Sequence, residues 1–123
     1  MTAIYVVDTS VVIQRFIRET YTPQARVLLA QMNQGYQLRV PEFCLLECAN
    51  VFWKQVRFQG MSQVEAEQLL IELLALPFQI MPVGNLLPRA LQIGLSYQLA
   101  VYESFYIALA KSLSCPLITV DQR

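Results

Sequence analysis

Four short apolar runs rich in β-branched or aromatic residues punctuate this chain: Ile4 to Val7, Tyr36 to Val40, Phe78 to Pro82 and Leu117 to Val120. Helical patterns fill every interval between them. Asp8-Thr9-Ser10 offers capping side chains for a short helix through Ile17. Thr22-Pro23 starts a second helix that reaches Met32 and is stopped by Gly35. Pro41 opens a long helix to about Phe58. Ser62-Gln63-Val64-Glu65 matches a capping box for the next, which runs to about Leu74. Leu87 to Leu99 and Tyr102 to Leu113 read as two more. Strands separated throughout by helices predict an α/β domain with a central, mostly parallel sheet covered on both faces. At 123 residues the chain has the length of one domain, and no linker or repeat divides it.

Within this pattern four carboxylates stand in apolar surroundings. Asp8 ends the first strand run and Asp121 the last. Glu47 interrupts Cys44-Leu45-Leu46 and Cys48-Ala49, and Glu103 opens Ser104-Phe105-Tyr106-Ile107-Ala108-Leu109-Ala110. Carboxylates are costly to take out of water without a partner. In open α/β sheets ligands gather beyond the carboxyl ends of the strands, where Asp8 and Asp121 lie. Each acid also has a bland reading. Asp8 can cap a helix, Asp121 can sit in a turn, and Glu103 gains from a helix N-terminus. Lys54, on the same helix face, can compensate Glu47.

Composition narrows the chemistry. The chain contains no histidine, which removes Ser-His-Asp and Cys-His hydrolysis. Clustered carboxylates repel one another, and hard divalent cations relieve that repulsion; oxygen-only ligation selects Mg²⁺ or Mn²⁺ over zinc. Such ions activate water for displacement at phosphorus. Cys44 and Cys48 are four residues apart, but with one further cysteine and no histidine they read as small core residues rather than zinc ligands. Nine basic and nine acidic residues leave no net charge, so a polyanion must be held by local cations. Arg15 and Arg18, on the helix after Asp8, and Lys54 and Arg57, on the Glu47 helix, are the candidates for phosphate contacts. The odd cysteine count and the absence of a basic, uninterrupted leader predict a cytoplasmic protein, and no apolar run reaches the ~18 residues that span a bilayer.

Four segments, Val7-Asp8-Thr9-Ser10, Pro41 through Leu46-Glu47-Cys48-Ala49-Asn50, Tyr102-Glu103-Ser104-Phe105-Tyr106-Ile107-Ala108-Leu109-Ala110 and Pro116 to Asp121, occur in an order and spacing that resembles PIN-domain ribonucleases, particularly VapC-like toxins. The resemblance covers nearly the whole of residues 1–123. It implies a three-layer α/β/α sandwich around a four- to five-stranded sheet. It implies a metal-dependent endoribonuclease whose acidic quartet is Asp8, Glu47, Glu103 and Asp121, with Ser10 and Asn50 supporting. It further implies an RNA substrate, a homodimer and an antitoxin lying across the active-site groove. Two departures stand out. The family usually has Asp where this chain has Glu103, and it usually continues beyond the point where this chain ends, two residues after Asp121. These leave a catalytically weak, PIN-like binding module as the alternative reading. A phosphatase-like or receiver-type α/β domain is a third.

The helix from Ser62 carries more apolar residues than one core face needs, among them Met61, Val64, Leu69, Leu70, Leu73 and Leu74. That excess reads as a partner surface or as ordinary core packing.

Overall fold

The computed structural model describes residues 3–17 and 22–120. Asp121 and Arg18 therefore lie outside the described residues.

Four strands, β1 (Ile4–Val7), β2 (Gln37–Pro41), β3 (Gln79–Met81) and β4 (Leu117–Ile118), form one sheet in the order β3-β2-β1-β4. Every neighbouring pair is parallel. Among the described residues six α-helices connect them: α1 (Thr9–Val12), α2 (Thr22–Ala30), α3 (Glu42–Phe58), α4 (Gln63–Ala75), α5 (Leu87–Tyr97) and α6 (Val101–Ser112). From β1 the chain steps outward to β2 and then β3. It then crosses back over the sheet to place β4 on the other side of β1. With the right-handed crossovers such parallel connections take, α1 to α4 are expected on one face and the returning α5 and α6 on the other, and the packing of α1 on α3, α3 on α4 and α5 on α6 agrees. The expected α/β sandwich is present, with four strands among the described residues.

The core follows from this arrangement. Val6, Val7, Leu38 and Val40 are wholly buried in the two central strands, as are Cys44 and Cys48 of α3. Cys44, Cys48 and Phe52 recur every four residues and form the buried stripe of α3. The two cysteines are thus core residues on one helix. α5 and α6 approach closely at Gly94, where an added Cβ would meet the Leu99 carbonyl oxygen at 2.8 Å and Ser104 Oγ at 3.1 Å.

Several boundaries differ from the sequence reading. The first helix does not continue to Ile17; after Val12 it tightens into a 3₁₀ turn over Ile13–Arg15. Three successive β-branched residues, Val11 to Ile13, weaken an α-helix there. α2 similarly gives way to a 3₁₀ turn at Gln31–Gln34, and Gly35 ends it at φ 90°, the left-handed conformation expected of that glycine. β4 stops at Ile118 rather than Val120, because the Val120 amide donates to Ser10 Oγ (3.1 Å).

Candidate active site

The connection leaving β1 runs toward β2, whereas β4 arrives on its opposite side, so the strand order reverses between β1 and β4. A crevice opens at such a switch point. Register pairs Val7 with Ile118, which sets Asp8 beside Thr119 just beyond the two strand ends. The Asp8 amide donates to the Ile118 carbonyl at 3.4 Å.

A cleft of about 310 Å³ occupies this position. Its acids are Asp8, Glu47 and Glu103; its hydroxyls are Thr9, Ser10, Thr119, Tyr102 and Tyr106. Leu99, Ile107 and Leu117 supply the apolar walls. Three of the four expected acids therefore line one cavity, drawn from β1, α3 and α6. Among the described residues no Lys or Arg lines it.

Asp8 is held locally. It is the N-cap of α1, with Oδ1 accepting from the Val11 amide at 3.3 Å. Ser10 Oγ donates to the same oxygen. Ser10 in turn reaches β4, contacting Thr119 Oγ1 at 3.3 Å and accepting from the Val120 amide. Ser10 thus clasps the acid to the segment that leads to Asp121.

Glu47 is held across the fold. Thr9 Oγ1 donates to Glu47 Oε1 at 2.7 Å, and Tyr106 Oη donates to the same oxygen at 3.1 Å. The two hydroxyls lie 2.9 Å apart, and Thr9 Oγ1 also lies 3.4 Å from Cys44 Sγ. Hydroxyls from α1 and α6 therefore answer the carboxylate of α3; Lys54 does not. Lys54 lies seven residues further along the helix, about 10 Å at 1.5 Å per residue. Burial holds the Tyr106 phenol well above its ordinary range, so it stays protonated as a donor. The Cys48 thiol is likewise pushed up, first by its hydrogen bond with Cys44 and then by burial.

Glu103 sits in the first turn of α6, where the helix N-terminus favours negative charge. Tyr106 is three residues on and shares its face. The exposed Tyr102 ring is set edge-on to Phe43 at 5.3 Å, which joins α3 to α6 at the cleft rim.

Other expected positions fall elsewhere. Asn50 is exposed and does not line the cleft, being one turn further from the strand ends than Glu47. Lys54 and Arg57 continue away along α3, Arg57 over the Phe58 ring, and Arg15 lies over the Phe16 ring. Thr9, Tyr106, Tyr102 and Thr119 were not anticipated as site residues. Tyr106 had one signal, its spacing from Glu103. Thr9 had only its place in the Asp8-Thr9-Ser10 run.

The donors around the cleft are carboxylate and hydroxyl oxygens, the ligand type preferred by hard cations. Among the described residues no three acids or cysteines close up into a ready-made metal-binding group. Mg²⁺ does not require such a group, because it keeps several waters and takes only one or two carboxylates. The donor chemistry fits such an ion.

The PIN domain family model matches residues 5–123. The chain belongs to the PIN domain family. It is similar to Ribonuclease VapC3 of Pyrobaculum aerophilum, with 27% identity over 120 residues, 96% of this chain and 89% of the relative. Two solved structures share the fold. PAE2754 from Pyrobaculum aerophilum superposes with a TM-score of 0.74 at 22% identity, over 98% of this chain and 76% of that one. VapC20 of Mycobacterium tuberculosis, described as a Sarcin-Ricin loop cleaving toxin, gives 0.73 at 14% identity over 95% and 89%.

Proposed function

We propose that this PIN protein is a divalent-cation-dependent endoribonuclease and the toxin of a toxin–antitoxin pair. The observation that carries the reading is the convergence of Asp8, Glu47 and Glu103 on one oxygen-lined cleft at the strand switch point, in a chain without histidine. The name of its relative Ribonuclease VapC3 supplies the reaction class.

Asp8, Glu47 and Glu103 hold Mg²⁺ or Mn²⁺, and Asp121 completes the set. A bound cation of this kind polarises water and offsets charge developing at phosphorus. The protein's part is to fix the acids. Ser10 ties Asp8 to the β4 end, and the Thr9 and Tyr106 hydroxyls orient Glu47. Leu99, Ile107 and Leu117 restrict water around the reacting phosphate. Among the described residues no basic side chain lines the cleft, so Arg15, Lys54 and Arg57 contact RNA phosphates beyond its rim, with Arg18 as a further candidate.

A protein partner fits the surface. Leu87, Leu91 and Leu95 make an exposed stripe along α5, and Val64, Ile71 and Leu74 are exposed on α4. Apolar residues aligned in this way favour association. We assign these faces to a homodimer and to an antitoxin. The three cysteines are unpaired, in keeping with a cytoplasmic setting, and among the described residues no helix is long and apolar enough to cross a membrane.

Cleavage of single-stranded RNA in Mn²⁺, repeated with EDTA and with Asp8→Asn, tests the activity. Cleavage surviving both controls would sink it. The second reading, a non-enzymatic PIN module, draws on the finding that among the described residues no three acids close up into a metal-binding group, and on Glu103 in place of the family's Asp. It predicts neither cleavage nor a rise in melting temperature with millimolar Mn²⁺.

A further inference from the structure

The two oxygens of Glu47 are unequally occupied. Oε1 lies 2.7 Å from Thr9 Oγ1 and 3.1 Å from Tyr106 Oη, and those hydroxyls are 2.9 Å apart. Each hydroxyl carries one proton. Thr9 gives its proton to Glu47 across the shortest contact, and Tyr106 gives its own to the same oxygen. Both protons therefore point into one small triangle with Oε1 at its apex. Among the described residues Oε2 accepts no hydrogen bond, and Glu47 lines the cleft.

The triangle is built to be rigid. Its three corners come from α1, α3 and α6, separated by 38, 59 and 97 positions in sequence. Tyr106 is 5% exposed, with its ring edge-on to Phe43 at 5.4 Å. A phenylalanine would fill the same aromatic packing, so packing alone does not explain the hydroxyl. The hydroxyl is placed to hold one oxygen of one carboxylate.

Building on the divalent-cation site proposed above, we infer that Tyr106 and Thr9 are positioning residues that reserve Oε2 of Glu47 for the cation and so bias the site toward small octahedral ions. The chemistry is a matter of oxygen count. Ca²⁺ takes six to eight oxygens and often both oxygens of a carboxylate, whereas Mg²⁺ takes six in near-ideal geometry and keeps waters. A carboxylate with one oxygen fastened by two donors offers its other oxygen alone. That suits Mg²⁺ and Mn²⁺ and penalises Ca²⁺. Without the Tyr106 hydroxyl, Glu47 turns more freely and presents both oxygens.

Titration calorimetry of the whole chain with MgCl₂, MnCl₂ and CaCl₂ tests this without any RNA. Wild type is expected to favour Mg²⁺ and Mn²⁺ over Ca²⁺. Tyr106→Phe should lose about tenfold in Mg²⁺ affinity, the scale typical of an outer-shell partner, while Ca²⁺ affinity holds or rises. Thr9→Val should move the same ratio in the same direction, and Thr9→Ser, which keeps the hydroxyl, should restore it. If Tyr106→Phe melts too low to titrate, the Thr9 pair decides. Mg²⁺ and Ca²⁺ affinities that fall together, or stay unchanged, in a wild-type background that binds Mg²⁺ would overturn the positioning role and leave the metal site standing. A wild type that binds none of the three ions overturns the metal site itself, and the positioning role with it.

Discussion

The two walls of the cleft hold their acids by different means. On the β1 wall, Asp8 is fastened by its own neighbours. It caps α1 through the Val11 amide and receives the hydroxyl of Ser10, two residues on. On the α3 wall, Glu47 has no such local support. Its partners, Thr9 and Tyr106, arrive from elements 38 and 59 positions away. The contrast teaches that one acid is placed by chain geometry as soon as the strand turns into a helix. The other is placed only when three helices have docked. Substitutions on the Asp8 wall should therefore act on chemistry with little cost to folding, while those on the Glu47 wall should do both.

The largest expected effect is on the local wall. Asp8→Asn keeps a good N-cap but removes the charge. RNA cleavage should fall about 10²- to 10³-fold, as when one preorganised electrostatic contact is lost, with the denaturation midpoint nearly unchanged. Glu47→Ala should lose activity as well. It should also cost about 2 kcal/mol in urea unfolding, because the buried Tyr106 hydroxyl loses its charged acceptor. Equal stability losses in the two variants would erase the contrast between the walls.

Gly94→Ala sharpens the same comparison from a distance. The added Cβ would press on the Leu99 carbonyl and on Ser104 at the α5–α6 contact. It should cost about 1–3 kcal/mol, the range for overpacking a close-packed contact. Shifting α6 should then disturb Glu47 through Tyr106 more than Asp8, which a weakened Mg²⁺ affinity beyond that of an equally destabilised α4 variant would reveal. Smaller still is Ser62→Ala, which removes the cap bond to the Glu65 amide (3.1 Å) and should cost about 1 kcal/mol without touching cleavage.

Alkaline pH separates the walls by titration. Tyr106 is raised above its ordinary value of 10.0, chiefly by burial. It holds its proton more tightly when folded, so its contribution is fully present below that value and is lost as pH rises above it. The hydrogen-bonded Cys44 and Cys48 thiols shift in opposite directions and oppose each other. Stability should therefore decline from about pH 10 upward. Tyr106→Phe should flatten that decline and Asp8→Asn should leave it unchanged, as read from the denaturation midpoint against pH.

Much of the fold is legible in the sequence because its signals are local. The strand runs, the Gly35 stop and the Ser62 cap each lie within a few residues of what they specify. The parallel sheet follows from strands separated by helices. Where the reading slipped, a non-local or subtle competitor intervened: Ser10 took the Val120 amide and shortened β4, and the β-branched run Val11 to Ile13 cut α1 short. Asn50, Lys54 and Arg57 share a helix with Glu47, yet its rise carries them away from the strand ends.

By itself the sequence determined that this is an α/β chain with acids at its strand ends and no histidine, because periodicity, capping and composition are properties of short segments. Only the tertiary structure decided which face of the acid at Glu47 is left open. That choice depends on Thr9 and Tyr106, two hydroxyls 97 positions apart that meet at 2.9 Å once the helices pack. No local pattern encodes a distance of that kind.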